Sequence, residues 1–324
     1  MRLPQVVATL VMLLGTTTAF VLQDSPRVSS HLHSSTQELP VLSRRQLGEL
    51  AVAGIGLGGT FLGTRERTPI DYGLWGILPI GTYRQKKTIR QTLVEDQIWT
   101  LDQKFGILNV QVPQRTVIVR LLNGGLFVYN PVAATRECLG LVNDLVERYG
   151  PVKHIVLGSV ALEHKVYAGV FAQKFKDAHV WLQPGQYSVP VNLPATFLGF
   201  PQGRTRTIPS SIQDAPQEWK ENFEFRTLGP FISKDGAFGE TVFYHPSTKS
   251  LIVTDTVVEV SEDVPAIYDY DPSPLLYHAR DTITDVVQDT PETRKVGWRR
   301  VQLFGLFFQP SAIDIKDVYV TTGL

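Results

Sequence analysis

The chain has one cysteine, Cys138, in 324 residues. An internal disulfide and a four-cysteine zinc site are therefore both excluded. Charge of either sign is equally scarce in excess, with 31 basic residues against 31 acidic ones. The first 64 residues hold Arg2, Arg27, Arg44 and Arg45 against Asp24, Glu38 and Glu49, so the remainder is close to neutral. Nucleic acid is excluded as the main partner on that ground, because phosphate binding needs a basic face. No Asn-X-Ser/Thr sequon occurs. The segment Leu157-Gly158-Ser159-Val160-Ala161 lacks the second glycine of a nucleophile elbow. No glycine-rich phosphate loop opens a helix after a strand in the core; Asn123-Gly124-Gly125 is a hairpin turn.

What is present begins with addresses. Residues 6–15 form an apolar run of signal-peptide length after Arg2, with Thr17 and Ala19 suited to cleavage before Phe20. Residues 25–43 are rich in serine and poor in acids, as transit peptides are. Arg44-Arg45 then precedes a second apolar run, 50–63, as in a twin-arginine export signal. In sequence, the three parts resemble the targeting region of algae with secondary plastids. Residues 1–64 are read as that region and residues 65–324 as a single domain. The expected location is the plastid (chloroplast), in the thylakoid lumen or at its membrane. A first helix of the mature protein is the other reading of 50–63.

The domain is organised around residues 117–184. Strands are expected at 117–122 and 126–132, joined by the Asn123-Gly124-Gly125 turn. A helix over 135–149 follows from the spacing of Cys138, Leu141, Val142, Leu145, Val146 and Tyr149, and Gly150-Pro151 stops it. Cys138 lies on that apolar stripe and reads as a buried, inert thiol. A strand over 152–160, a loop over 161–165, a helix near 166–175 and a strand near 179–182 complete an α/β unit. Upstream, 97–103 and 108–112 read as early strands, and 64–87 as a covering loop ending in the solvated basic turn 84–87. Downstream, 185–216 reads as a long covering loop, and 223–228, 241–245 and 251–260 as strands. Residues 278–289 read as a helix or a turn region. Residues 297–309 read as a buried helix, with an interfacial membrane helix as the alternative.

Glu163 and His164 stand together just past a buried strand, where α/β proteins place their sites. Asp255 sits in the apolar run 251–258, where a carboxylate is costly to bury unless paired, hydrogen-bonded or on a metal. Two oxygen donors and one imidazole would suit one zinc, iron or manganese ion, with Glu163 as a ligand or general base to an activated water. An ion pair or hydrogen-bond network among the three is the other reading. His154 reads as satisfied within a strand and His245 as a strand end. His179 and His278 lack a partner at ligand spacing, and His31 and His33 fall in the transit segment.

Longer stretches carry a resemblance. Residues 121–135 (Leu-Leu-Asn-Gly-Gly-Leu-Phe-Val-Tyr-Asn-Pro-Val-Ala-Ala-Thr), Leu162-Glu163-His164-Lys165, Pro184-Gly185-Gln186-Tyr187, Leu198-Gly199-Phe200-Pro201, Val253-Thr254-Asp255, Gly297-Trp298-Arg299-Arg300 and 307–311 (Phe-Phe-Gln-Pro-Ser) resemble domain of unknown function family 4336 of plants, algae and cyanobacteria. That family is in turn similar to the metallo-β-lactamases. The implied fold is an α/β sandwich of αββα type, two mixed sheets with flanking helices. The implied metal motif, His-X-His-X-Asp-His, falls on 159–164: Ser159 and Ala161 stand at the two leading histidines, Glu163 replaces aspartate and His164 is kept. Asp255 matches the aspartate that bridges two metals, and the histidine implied near Gly229-Pro230 is missing. Relatives are expected to continue past Leu324 into a segment with another histidine, so the domain is read as shortened there. The resemblance thus implies a plastid protein with a largely lost metal site, acting as a non-catalytic binding or assembly module. The alternative is a single-metal hydrolase acting on an ester, thioester or phosphoester.

Overall fold

The computed structural model describes residues 87–307, apart from 108, 189–191, 234–235 and 260. The targeting region expected over 1–64, the covering loop up to 86, the expected start of a strand at Leu108 and the carboxy-terminal expectation all lie outside the described residues.

Seven strands form one sheet in sequential order: β1 (Ile89–Val94), β2 (Ile98–Ile107), β3 (Val110–Arg120), β4 (Leu126–Tyr129), β5 (Val152–Leu157), β6 (His179–Leu182) and β7 (Thr205–Thr207). The first four pair antiparallel and the last four parallel, with β4 shared. A second, antiparallel sheet contains β8 (Glu224–Ser233), β9 (Gly236–His245) and β10 (Ser250–Ile252), with β9 central. The helices are α1 (Arg136–Tyr149), α2 (Leu162–Lys174), α3 (Gln217–Asn222), α4 (Ser273–His278) and α5 (Pro291–Phe307). The α/β class is as expected: a mixed sheet and a smaller sheet with flanking helices.

Strand alternation explains the layers. Leu126 and Val128 point to one side of β4, with Ile155 and Leu157 of β5, and meet Cys138, Val142 and Leu145 of α1 and Ala168 and Phe171 of α2. Phe127 and Tyr129 point to the other side, with Val119 and Val156, and meet Trp219, Phe223, Phe225, Phe243 and Ile252. Both faces of the central strands are therefore buried, so these strands read as unbroken apolar runs. A third cluster, Tyr268, Leu275, Trp298 and Val301, ties α4 and α5 to Ile89 and Val112 of the large sheet. The helix expected over 297–309 is α5 as far as Phe307, begun earlier at Pro291, with Trp298 and Val301 buried and Leu303 half exposed; residues 308–309 lie outside the described residues. No helix among the described residues is long and apolar enough to cross a membrane.

Local chemistry sets the element ends. The Thr135 hydroxyl accepts from the Cys138 amide at 3.1 Å and caps α1, and Gly150, at φ 98°, closes it. Burial pushes the Cys138 thiol up to about 12, so it stays protonated. Gly125 is required at its turn, since a Cβ there would sit 2.7 Å from the Pro151 carbonyl oxygen.

Several expectations are corrected. Residues 162–165 are the first turn of α2 rather than a loop, and α2 begins four residues earlier than its pattern implied. Eleven of its residues, Leu162 to Ala172, are buried, so it carries no amphipathic stripe to read. Its start has no side-chain cap either. The covering loop 185–216 contains the edge strand β7, held through Arg204, whose guanidinium donates to the carbonyls of Ala172 in the last turn of α2 and of Phe175 and Ala178 just past it. The strand expected over 251–260 ends at Ile252, for a reason given below.

His154 lies within β5, as expected, but only one of its ring nitrogens is satisfied: Nε2 is buried without a hydrogen-bond partner. Its Nδ1 accepts from Trp181 Nε1 at 3.1 Å. Burial pushes its pKa down to about 4, only partly opposed by Glu218. A histidine whose folded pKa lies below its unfolded value of 6.5 takes its proton first in the unfolded chain. Stability is therefore lost as pH falls from about 6.5 towards 4. Lowering pH from 7 to 4.5 is expected to narrow the stability gap between wild type and His154→Gln by about 2 kcal/mol. Urea unfolding of both proteins at the two pH values checks this.

Candidate functional site

Three elements converge beyond the carboxyl end of β5. After Leu157 the chain leaves the large sheet and pairs briefly with β9, where Val160 N–H donates to the Gly239 carbonyl and Thr241 N–H to the Gly158 carbonyl, at 3.0 and 2.7 Å. Gly158 permits the crossing, because a Cβ there would lie 2.2 Å from the Tyr129 ring. Immediately afterwards α2 starts and presents Glu163 and His164. The segment after β10 presents Asp255 from the opposite sheet.

The structure brings the three expected residues together. One ligand atom from each lies within 4.8 Å of the other two, and all three residues are buried, at 6%, 7% and 2% exposure. His164 Nε2 is 3.6 Å from Asp255 Oδ1. The other carboxylate oxygen, Oδ2, accepts from the Ser159 hydroxyl at 2.7 Å, and that hydroxyl accepts from the Ala161 amide. Gln114 of β3 places its Nε2 2.7 Å from the Glu163 carbonyl oxygen and 3.4 Å from His164 Nδ1.

Two influences meet on the His164 ring. Burial disfavours its charged form, but Asp255 beside it, with Glu163 and Glu240, outweighs burial and raises its pKa. The Gln114 amide acts in the other sense, since it presents a donor to Nδ1. Next along α2, burial pushes Lys165 down to about 7, partly opposed by Glu163. The Lys165 ammonium donates to the Tyr187 carbonyl and lies 4.3 Å from the Tyr187 ring centre, joining α2 to the segment after β6.

Asp255 is not inside a strand, as the apolar run implied. Glu240 of β9, fully buried, is the cause. Its carboxylate accepts from the amides of Thr254, Asp255 and Thr256 and from the Thr256 hydroxyl, with the Asp255 and Thr256 amides at 2.9 and 2.6 Å. Three successive N–H groups turned onto one carboxylate cannot also serve a neighbouring strand, so the extended run stops and the chain bends. The Tyr129 hydroxyl lies 3.1 Å from Glu240 Oε1 and 3.0 Å from the Thr241 carbonyl, and shares its single proton between them. Burial and the adjacent Glu240 raise the Tyr129 pKa well above the ordinary phenol value.

Asn130 completes the frame. At φ 46°, its side chain accepts from Gly158 N–H at 2.7 Å and donates to the Thr254 hydroxyl. Glu240, Asn130 and Gln114 were missed as site residues. Glu240 carried a usable signal, a lone carboxylate in a strand that is otherwise glycine, threonine and apolar up to its terminal His245. Two further histidines among the described residues lie elsewhere: His245 Nδ1 is 2.7 Å from the Thr248 hydroxyl, and His278 Nε2 is 3.1 Å from the Asn109 carbonyl.

Glu240→Gln replaces an oxygen acceptor by an amide donor facing backbone N–H groups. It is expected to destabilise the fold by roughly 3–5 kcal/mol. Denaturant unfolding measures the loss, and hydrogen exchange should show the amides of Thr254, Asp255 and Thr256 unprotected while β5 retains protection.

No curated protein matches the chain. Among solved structures, a metallo-β-lactamase from Pontibacter korlensis aligns at a TM-score of 0.38 and 14% identity, over 67% of this chain and 99% of that one. The family model described as a domain of unknown function (DUF4336) matches residues 95–322, and the chain belongs to that family.

Proposed function

We propose that the protein is a plastid-targeted, non-catalytic binding or assembly module on a metallo-β-lactamase-like scaffold, in which the Glu163–His164–Asp255 cluster is a structural lock. The supporting observation is that the cluster is closed and that Asp255 is held by its neighbours within it. Its residues are at most 7% exposed, which leaves a substrate no approach to them. Both oxygens of Asp255 already face donors, Ser159 on one side and the His164 ring on the other.

The motif laid on 159–164 makes the same point from sequence. Ser159 and Ala161 stand where that motif has its leading histidines. Here Ser159 gives Asp255 a hydrogen bond and receives one from Ala161. Positions that would hold an ion instead hold each other. The plastid assignment is supported by the order of the three amino-terminal segments, and association with a thylakoid membrane is part of the same proposal.

One observation favours the second reading, a single-metal hydrolase. Two carboxylates and an imidazole with donor atoms within 4.8 Å of one another have the composition of a zinc, iron or manganese site. Elemental analysis decides between the readings. Protein purified without chelator is expected to carry less than about 0.1 equivalent of zinc, iron or manganese per chain. One equivalent would overturn the lock. Glu163→Gln and Asp255→Asn are expected to cost roughly 1–3 kcal/mol in unfolding experiments while leaving the protein's role in the plastid intact. Loss of that role in folded variants would favour the hydrolase.

A further inference from the structure

We propose that Gln114 fixes His164 as the tautomer protonated on Nε2, and that this arrangement disqualifies the cluster as a transition-metal site. The inference rests on the reading of the cluster as a lock and supplies its chemical cause.

The argument starts from the amide. Gln114 is 4% exposed, and its Nε2 lies 2.7 Å from the Glu163 carbonyl oxygen. That carbonyl only accepts, so the atom facing it is the NH2 group and not the amide oxygen. The same NH2 group lies 3.4 Å from His164 Nδ1 and has a second hydrogen to give. Nδ1 therefore serves as the acceptor. A neutral imidazole that accepts at Nδ1 carries its proton on Nε2. Nε2 in turn faces Asp255 Oδ1 at 3.6 Å, a donor set towards an acceptor. Turning the ring over would put carbon at both positions and forfeit both contacts.

Metal ligation needs the opposite tautomer. A histidine that binds through Nε2 presents a lone pair there and donates its Nδ1–H to an acceptor. In this chain that proton would point at the Gln114 NH2 group, donor against donor. Reversing the amide does not repair the conflict, because Oε1 would then stand against the Glu163 carbonyl oxygen. In the present arrangement Oε1 is buried without a hydrogen-bond partner, so Gln114 keeps its two donors engaged while its acceptor goes unused.

The test uses the full chain labelled with nitrogen-15. Long-range proton–nitrogen correlation at pH 8.5 is expected to show Nδ1 of His164 unprotonated and Nε2 protonated. Titration with cobalt(II) alone is expected to give no d–d absorption for wild type. Gln114→Leu removes the opposing donor and Gln114→Glu supplies an acceptor. Each is expected to bind cobalt at least about tenfold more tightly than wild type, the scale on which outer hydrogen-bond partners tune a metal ligand. Should either variant fail to fold, the wild-type tautomer decides alone. A proton on Nδ1 in metal-free protein overturns the role of Gln114 and leaves the lock standing. Wild type that arrives metal-loaded, or that binds cobalt stoichiometrically, overturns both.

Discussion

The Glu240 carboxylate is the interaction on which the rest of this region depends. It comes from the central strand of the small sheet, is fully buried, and collects three consecutive backbone amides, a threonine hydroxyl and the Tyr129 phenol. Tyr129 belongs to the large sheet. One side chain thus stops β10, shapes the segment that carries Asp255 and links the two sheets. A buried carboxylate is tolerable only when its lone pairs are met, and here the backbone of 254–256 meets them. The position of Asp255 is consequently set by Glu240 before His164 or Ser159 touches it.

Around that anchor, the ends of β4 and β5 are fastened to the same segment. Asn130 holds Gly158 and Thr254 at once. Gly158 lets the chain pass against the Tyr129 ring and cross to β9. Ser159 then reaches Asp255 three residues before the start of α2. The polar network is therefore continuous from β4 through the crossing to α2. Each member is placed by backbone geometry that its neighbours impose, as a buried network requires if it is to specify one arrangement.

Much of the fold was legible because it is periodic. The stripe of Cys138, Val142 and Leu145 gave α1 nearly to the residue, and the apolar run from Leu126 gave a strand, though it ends at Tyr129 and not at 132. Helix α2 defeated the same reasoning because it is buried all round, leaving 162–165 to look like a loop. In the site, Asp255 was legible as a charge in an apolar run, and Glu163 and His164 as an adjacent pair after a strand. Glu240 was legible in principle by the rule that found Asp255, but the strand was expected to start at Thr241, which left Glu240 outside it. Gln114 and Asn130 were not legible. Their importance lies in which backbone atoms they face across the sheets, and no local pattern encodes that.

What the cluster contributes follows from its energetics. A buried ion pair or carboxylate rarely stabilises a fold more than a well-packed apolar filling would, because desolvation offsets most of the attraction. Stability alone is therefore a poor account of Glu163, His164, Asp255 and Glu240 lying together. Direction is a better one. Apolar side chains could fill the same space and leave the start of α2 and the segment 254–258 free to settle in several registers against the sheets. Hydrogen bonds admit few. Gln114 orients the His164 ring, Ser159 orients Asp255, and Glu240 orients the backbone beneath both. The outcome is one fixed relation between the large sheet, α2 and the small sheet.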